Sequence, residues 1–347
     1  MNNQTEFDIF IIKTLPDEYL IKCKKSLKET SNGKITNNQI HIISEKESRE
    51  ITLNTILEKR DNVKDLFIVA DDIVFLDGWF ESLKDNYENG GIIGFSMIDA
   101  QSELLQDFGY DFVTIDGELS YRGLYKHKEL TGLNLPSFRI CDAVTGCAIY
   151  IKKAVLNDVN HFPLEGENRW GELLFSYLAS KYGHDTIVLS AHLRHFGTST
   201  KQNKDVKKSS MSWLIEKELW IKAVKKYLND VKPENEIKIT ISDELKALIR
   251  ESAKCLIYGA GTIANAIISS LQEISNIELC SGLKEEIGLR LGGIKIKNVE
   301  RINSSIYNVI IISAIGYENQ IIDNYFKNKN VLTLSKENNV IKILYKN

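Results

Sequence analysis

Short apolar runs alternate with amphipathic segments along the first hundred residues. Such runs predict buried strands, and apolar residues spaced three or four apart predict helices. The predicted strands are Phe7–Ile12, Gln39–Ile43, Leu66–Ala70 and Ile92–Met97, and the predicted helices are Asp17–Leu27, Ser48–Leu57 and Gly78–Tyr87. This alternation is typical of an α/β fold, so we expect a parallel sheet with helices on both faces.

The pattern changes in the middle of the chain. Residues 99–140 lack a helical period and carry scattered glycines and aromatic residues, which predicts loops and short antiparallel strands. We then predict an apolar strand over Asp142–Ile151, a helix over Glu172–Lys181 that ends at Gly183, and a strand over Thr186–Leu189. Regular elements therefore resume after an irregular segment.

A second, smaller α/β unit follows. The lysine-rich residues 198–212 predict a mobile loop, and Trp213–Leu228 predicts an amphipathic helix. We place the boundary near Pro233–Asp243, which gives a domain of residues 1–232, with 198–232 as a loop and helix extension, and a domain of residues 233–347. The elements predicted in the smaller domain are the strands Cys255–Tyr258, Ile277–Cys280 and Asn308–Ala314 and the helix Asn265–Leu271.

Composition narrows the class of protein. The 347 residues, 43% hydrophobic and 26% charged, are typical of a globular chain of two domains, and the net charge of −3 gives no electrostatic attraction to nucleic acid. Five cysteines without a CxxC pair argue against a zinc site or a disulfide framework and favour a reducing, cytoplasmic compartment.

The sequence also bears on membrane association. The polar N-terminus does not read as a signal peptide. No apolar run reaches the roughly 18 residues that span a bilayer, so we predict no transmembrane segment. Two possibilities stay open, namely peripheral contact with the inner face of a membrane and assembly into a homo-oligomer.

Two adjacent carboxylates, Asp71 and Asp72, end the predicted strand Leu66–Ala70 abruptly. Ligands of open α/β sheets gather beyond the carboxyl ends of strands, and two neighbouring carboxylates repel each other unless a cation is present. A hard divalent cation at this edge is one interpretation. The alternative is that the pair only forms a turn or caps the next helix.

Further residues follow this pair in a characteristic order. They are Trp79, then Thr145-Gly146 within the strand Asp142–Ile151, then Glu172 after Trp170-Gly171, and then His195. The order resembles that of family 2 glycosyltransferases, which have the GT-A fold, over residues 7 to 200. The resemblance implies a nucleotide-sugar-binding sheet with helices on both faces.

The resemblance also implies roles for single residues. Asp72 and His195 would bind Mn²⁺ or Mg²⁺ on the donor diphosphate, and Glu172 would be the catalytic base. Thr145 and Gly146 would line the acceptor side. Ala70 and Gly171 depart from the family pattern, because both positions often carry an acid.

Other residues are candidates by position. By the resemblance, residues 70–72 match the DxD-type motif of the family, and Asp71 occupies its middle position. Thr14 and Glu45 end the first two predicted strands, so we predict all three residues on the donor side. Trp170 is placed on the acceptor side as a sugar platform, with core packing as its alternative. Taken alone, Glu172 could simply complement a helix dipole, and His195 could be a buried structural histidine.

The smaller domain carries a glycine-rich turn. Gly259 and Gly261 follow a strand, and a helix opens before Ala264, which is the context of a dinucleotide fingerprint. No acid ends the second strand of this domain, Ile277–Cys280, where a ribose ligand is expected. The turn resembles Rossmann-like segments attached to sugar-modifying enzymes, and we predict a ligand-binding, docking or oligomerisation module rather than a redox enzyme.

These observations predict an inverting, metal-dependent glycosyltransferase. By resemblance it would use a UDP-, GDP- or dTDP-sugar and a glycan, protein or lipid-linked acceptor, in the assembly of a surface polysaccharide or glycoprotein. Two alternatives stay open. One is an NAD(P)-binding enzyme that uses the C-terminal turn, and the other is a non-catalytic sugar-binding protein.

Overall fold

The computed structural model forms two compact units. The first comprises Met1–Asp111, Tyr121–Lys207 and Lys222–Asn229, and the second comprises Phe112–Ser120, Lys208–Ile221 and Asp230–Asn347. The structure describes residues 7–45, 48–61, 63–115, 117–125, 129–164, 170–197, 213–233, 236–241, 243–271, 276–282, 287–314, 318–327, 329, 331–337 and 340–346. The predicted loop at 198–212 lies outside them.

The first part of the chain folds into strands and helices close to the predicted ones. The strands are β1 (Phe7–Lys13), β2 (Ile40–Ser44), β3 (Asp65–Ala70), β4 (Ile73–Phe75), β5 (Ile92–Asp99), β6 (Leu105–Asp107), β7 (Tyr110–Ile115), β8 (Glu118–Gly123), β9 (Phe138–Cys141), β10 (Ala148–Ile151) and β11 (Thr186–His195). The helices are α1 (Asp17–Glu29), α2 (Arg49–Lys59), α3 (Trp79–Asp85), α4 (Lys153–Asp158) and α5 (Gly171–Lys181). The first strands and helices are therefore confirmed, as are the short strands between residues 99 and 140.

The central sheet of the first unit is mixed, not parallel as expected. Its order is β2-β1-β3-β10-β5-β11-β4, with β6 beside β5 and β9 beside β11. β1, β2 and β3 are parallel, but β10 runs antiparallel between β3 and β5. The expectation of a parallel sheet is wrong here because β10, which comes later in the chain, inserts antiparallel between β3 and β5.

β3 lies inside this sheet, between β1 and β10, and is buried on both faces. Phe67 and Val69 pack with Trp79 on one face, whereas Leu66 and Ile68 pack on the other. A strand covered on both faces must be apolar at successive positions, which explains its continuous apolar run. The run ends where the chain reaches the edge of the sheet, at Asp71.

The predicted strand Asp142–Ile151 is shorter in the structure. Only Ala148–Ile151 is a strand, and residues 142–147 form a loop that enters it. This stretch is apolar for another reason, because Val144 is 3% exposed and a Cβ on Gly94 would lie 2.5 Å from its side chain. The loop therefore packs on β5, and it carries Thr145, Gly146 and Cys147.

The predicted strand Thr186–Leu189 is longer than expected. β11 runs on to His195, parallel to β5 and with a register shift between Leu189 and His192. Its last residues pair with β4 in the opposite direction, so that His195 lies opposite Ile73. This pairing brings His195 beside the Asp71-Asp72 turn.

The second unit contains a smaller sheet with a parallel core. The order β16-β14-β13-β17-β18 holds its consecutive strands in parallel, and β18 continues antiparallel into β19. Three predicted strands are confirmed, and the predicted helix Asn265–Leu271 begins earlier, at Thr262. The remaining elements are α6 (Trp213–Tyr227), β12 (Glu236–Thr240), α7 (Asp243–Glu251), β13 (Cys255–Tyr258), α8 (Thr262–Ser270), β14 (Ile277–Ser281), β15 (Arg290–Leu291), β16 (Ile294–Asn298), β17 (Val309–Ile312), α9 (Glu318–Tyr325), β18 (Val331–Glu337) and β19 (Val340–Lys346).

A helix that crosses a membrane must be both long and apolar. None of the helices in the described part of the chain has both the length and the apolar character needed to cross a bilayer.

Candidate active site

Asp71 fastens the loop that follows β1. Its carboxylate accepts hydrogen bonds from the backbone N–H of Thr14 (2.9 Å) and of Leu15 (2.8 Å) and from the Thr14 hydroxyl (2.9 Å). The residue is fully buried. The structure therefore brings together Thr14 and Asp71, two of the residues predicted on the donor side. Asp71 holds the β1–α1 loop in place.

Asp72 points toward His195. The Asp72 side chain is 2% exposed, and its Oδ2 has no hydrogen-bond partner among the described residues. This oxygen lies 3.3 Å from Nε2 of His195. A buried carboxylate is costly unless an opposite charge compensates it, and the nearby imidazole of His195 supplies that charge when it is protonated.

His195 is held by a residue that the sequence analysis did not identify. Its Nδ1 lies 2.8 Å from the side-chain oxygen of Gln106 in β6, so Nδ1 carries the proton and donates it. Nε2 then faces Asp72 and the Sγ of Cys147, at 3.6 Å. Gln106 thus orients the imidazole in the way that residues beside metal ligands commonly do.

The surroundings of His195 shift its ionisation. Burial by itself would lower its pKa, but attraction by Cys147 and Asp72 outweighs burial and raises the pKa to about 11. Nε2 would therefore have to release a proton before it could bind a cation.

Glu172 lies in the first turn of α5, where it is buried and paired with Arg49. Nε of Arg49 is 3.4 Å from Oε1 of Glu172, and the Nη2 group of Arg49 donates a 2.9 Å hydrogen bond to the carbonyl of Gly146. Gly146 is so close that a Cβ there would lie 1.9 Å from Oε1 of Glu172. Any side chain at position 146 would therefore displace the Glu172 carboxylate from its present place.

Arg49 is a second residue that the sequence analysis missed. Burial alone would lower the pKa of its guanidinium, but Glu172 and Glu45 outweigh burial and raise it. Burial raises the pKa of Glu45, while Arg49 opposes that shift. Glu45 therefore lies in the same electrostatic cluster, together with Glu172 and Asp71. The local sequence gave no signal, because Arg49 reads as an ordinary first residue of a helix.

One loop joins the two halves of the site. Gly146 touches Glu172, and the next residue, Cys147, lies against His195, which pairs with Asp72. The Thr145 hydroxyl donates to Sγ of Cys147 at 3.4 Å. The structure therefore places Asp72, His195, Glu172, Thr145 and Gly146 around a single loop at the sheet edge.

The structure shows the surroundings of the two positions that depart from the resembled pattern. The backbone N–H of Ala70 donates to the carbonyl of Cys147 at 2.8 Å, which anchors the site loop to the end of β3 whatever the side chain at position 70. A Cβ on Gly171 would lie 2.8 Å from Cγ of the buried Glu50. A larger residue at position 171 would therefore collide with α2.

Trp170 lies in the interior rather than beside an open surface. It is 4% exposed, and its indole N–H donates to the hydroxyl of Tyr121 at 3.0 Å. In this position the indole packs inside the first unit, which favours the packing alternative.

The glycine-rich turn of the second unit has two different glycines. Gly259 has a φ of +102°, and a Cβ there would lie 2.6 Å from Oγ of Ser313. Gly261 precedes α8, and a Cβ there would meet nothing within 4 Å. Ala264 is fully buried. Gly259 is thus required by backbone and packing, whereas Gly261 is not.

Asp72 and His195 suit a divalent cation. Two ligands bound side by side to one cation lie about 3.0–3.4 Å apart, and Oδ2 of Asp72 and Nε2 of His195 are 3.3 Å apart. No three histidine, cysteine or acidic side chains form a ready metal cluster within the described ranges. A cation bound by this pair would therefore need further ligands from outside these side chains.

Comparison with known proteins gives structural similarities only. No family model matches the sequence, and no curated protein does. The fold is similar to that of GalNAc-T7 crystallised with UDP, GalNAc and Mn²⁺ (12% identity, 56% of this chain and 44% of that chain, TM-score 0.38). It is also similar to S. aureus TarS 1-349 (12%, 65% and 73%, TM-score 0.34) and to A197 from STIV (17%, 54% and 82%, TM-score 0.31).

The aligned part of the chain spans less than half of the GalNAc-T7 structure. At these identities and TM-scores the similarities carry no argument about activity. What the fold and the site themselves define is a mixed α/β protein with a carboxylate–imidazole pair and a second carboxylate at one edge of its sheet.

Proposed function

We propose that this protein is an inverting glycosyltransferase that uses a divalent cation and a nucleoside-diphosphate sugar. One observation carries the proposal. The loop of residues 145–147 touches Glu172 on one side and the Asp72–His195 pair on the other. A base and a cation-binding pair are thus within one site, as transfer from a diphosphate to a hydroxyl requires.

The residues divide the chemistry between them. Glu172 accepts the proton of the acceptor hydroxyl as its oxygen bonds to the anomeric carbon. The bond from that carbon to the phosphate oxygen breaks, and the electron pair leaves with the nucleoside diphosphate. Asp72 and His195 would hold Mn²⁺ or Mg²⁺, which when bound neutralises the developing negative charge on the leaving diphosphate. Attack opposite the leaving group inverts the anomeric centre.

Asp71 and Arg49 keep these groups in place. Asp71 fixes the backbone of Thr14 and Leu15, so the loop after β1 is ordered at the side where we propose that the nucleotide binds. Arg49 fixes Glu172 and the Gly146 carbonyl together. Because reacting groups must be held within a fraction of an ångström, these supports contribute to rate without touching the sugar.

The acceptor and the cellular place are parts of the same proposal. We propose a glycan, protein or lipid-linked hydroxyl as the acceptor, in surface polysaccharide or glycoprotein assembly. All five cysteines are unpaired, which supports a reducing, cytoplasmic setting.

The first test is a panel of UDP-, GDP- and dTDP-sugars, with release of the nucleoside diphosphate as the readout. We expect turnover with Mn²⁺ or Mg²⁺, its loss with a chelator, and a decrease of about 10²–10³-fold in Asp72→Asn. Asp8→Asn is a matched control. Asp8 is a buried acid near the start of β1, at the end of the strand away from the proposed site, and it pairs with Lys64. Undiminished turnover in Asp72→Asn would remove the cation-binding role.

Release of the diphosphate without any acceptor separates the enzyme from a sugar-binding protein. A catalytically active site should hydrolyse the donor slowly, with water in place of the acceptor hydroxyl. Donor binding by calorimetry with no hydrolysis and no transfer to any acceptor would favour the non-catalytic alternative.

For the second unit we propose a Rossmann-like accessory module. Its parallel strand order and the turn at Gly259 between β13 and α8 support this proposal. β14 ends at the buried Ser281, so the residue at that strand end is not the acid that would bind a ribose. We therefore propose ligand binding or docking for this module rather than hydride transfer.

The two glycines of the turn make a stability prediction. Gly259→Ala should lower the free energy of unfolding by about 1–2 kcal/mol, because alanine is strained at positive φ and would also crowd Ser313. Gly261→Ala should change it by less than about 0.5 kcal/mol. Urea unfolding of both variants measures the difference. Equal losses would mean that the open space at Gly261 is not available to a side chain.

A further inference from the structure

Three basic side chains lie together on a hairpin at the edge of the second unit's sheet. β15 and β16 form this hairpin, and their antiparallel register places Arg290 directly opposite Lys295. Lys295 and Lys297 share one face of β16, because side chains two residues apart on a strand point the same way. Arg290, Lys295 and Lys297 are all exposed, whereas Ile296 between the two lysines is buried. We call these three cations the basic hairpin.

The opposed pair of cations is unfavourable for the fold itself. Like charges directly opposite each other on neighbouring strands repel and destabilise the pairing. Within the part of the chain that the structure describes, neither Arg290 nor Lys295 forms an ion pair with an acidic side chain. The guanidinium of Arg290 donates to the carbonyl of Gly293 in the hairpin turn, which is a neutral partner. The two charges therefore lack a compensating carboxylate among the described residues.

Glu278 in β14 is the carboxylate beside this hairpin, and other groups already share it. It accepts a 2.6 Å hydrogen bond from the Tyr307 hydroxyl and forms ion pairs with Lys297 and, at 3.4 Å, with Lys254. Burial by itself would raise the pKa of Glu278, but hydrogen bonds from Lys297 and Tyr307 outweigh burial and lower it. Two lysines and the opposed pair of the hairpin thus accompany one carboxylate, a local excess of positive charge in a chain whose net charge is −3.

We propose that the basic hairpin is a docking surface for a bilayer rich in anionic lipids. Headgroup charges would relieve the repulsion between Arg290 and Lys295, and each basic residue near such a surface strengthens binding by about fivefold. The opposed pair is about 5 Å apart and the two lysines about 7 Å, which matches one or two lipid headgroups. Binding to nucleic acid commonly uses a longer track of about six to ten phosphates. The inference does not depend on the chemistry proposed for the first unit.

Vesicle sedimentation with the full chain tests the inference. Vesicles of phosphatidylcholine with about 30% phosphatidylserine are compared with vesicles of phosphatidylcholine alone at low salt. We expect binding to the anionic vesicles to be about 10²-fold tighter, because the local excess of positive charge acts at about fivefold per charge. The difference should disappear in about 1 M salt, where charges are screened beyond about 3 Å.

A double variant removes the opposed pair. In Arg290→Gln combined with Lys295→Gln, affinity for the anionic vesicles should fall about 25-fold. The melting temperature should stay the same or rise, because the repulsion across the hairpin is gone. Lys246→Gln combined with Arg250→Gln is the matched control, since it removes the same charge from α7 of the same unit, where Asp243 pairs with Lys246 at 3.7 Å. The control should lose less than about twofold in affinity.

The outcomes separate the hairpin from its alternatives. Equal binding to the two kinds of vesicle overturns the inference, and so do equal losses in the two double variants, because the effect would then belong to net charge. Binding to a short DNA duplex that depends on Arg290 and Lys295, without binding to vesicles, would assign this face to nucleic acid instead. No sugar transfer enters these measurements, so a failure here leaves the proposed function untouched, and an inactive first unit leaves the docking surface untouched.

Discussion

Replacing Glu172 by glutamine is expected to lower kcat for glycosyl transfer by about 10²–10⁴-fold. Glutamine keeps the shape of the side chain and can still accept from Arg49, but its amide cannot take the proton of the acceptor hydroxyl. The carboxylate is 3.4 Å from Nε of Arg49 and lies against Gly146, so the substitution removes the base without opening the packing. Steady-state kinetics at saturating donor and cation measure the effect.

The KM for the donor provides the control in the same experiment. Glu172 is separated from Asp72 by the loop of residues 145–147, so donor binding should change less than about threefold in Glu172→Gln. A rise in KM with kcat unchanged would mean that Glu172 binds substrate but does not accept the proton. Unchanged kcat and KM would remove the catalytic role altogether.

Gly146→Ala is expected to be almost as damaging, with a loss of kcat of about 10²-fold or more. The new methyl group would lie 1.9 Å from Oε1 and 2.3 Å from Cδ of Glu172, so the carboxylate must move. Because the colliding atoms are at the end of a flexible side chain, we expect the fold to persist while the base is displaced. The kcat and the melting temperature, measured together, separate these effects.

Gly123→Ala is the matched control for that substitution. A methyl group there would first meet a ring carbon of Tyr110 at 3.4 Å, an ordinary contact, so activity and melting temperature should stay near wild type. If Gly146→Ala kept full activity with its fold intact, the carboxylate of Glu172 would not be needed where the structure places it. Equal inactivation of both variants would indicate a general loss of structure.

The local pattern was sufficient for most elements of the chain. The β1, β3 and β5 strands are apolar at consecutive positions because both faces of the sheet are covered, and α1 and α2 show helical spacing because one side of each is buried. The turn after β3 was visible for the same reason, since two charged residues cannot continue a fully buried strand. The local pattern therefore marked Asp71 and Asp72, whereas Glu172 and His195 were candidates only through the resemblance to family 2 glycosyltransferases. The site roles assigned to these residues stay predictions.

Long-range neighbours explain what was missed. Arg49, Gln106 and Cys147 have no local signal, because each contacts a residue that is far away along the chain. Arg49 contacts Glu172, whereas Gln106 and Cys147 contact His195. The strand predicted over Asp142–Ile151 was too long because a loop that packs on β5 is as apolar as a strand.

The sequence by itself determined the alternation of strands and helices, the two-part organisation of the fold into α/β units, and the acidic turn at the end of β3. Each segment needs apolar residues on the faces that it buries, whichever segments it packs against. The order of apolar and polar residues within a segment therefore indicates its secondary structure. The insertion of β10 between β3 and β5 was decided only by the tertiary structure, as was the meeting of Asp72, His195 and Glu172 around residues 145–147. Strand pairing uses backbone hydrogen bonds that every residue type except proline can form, so neither the order of the strands nor the contacts that this order creates can be read from local patterns.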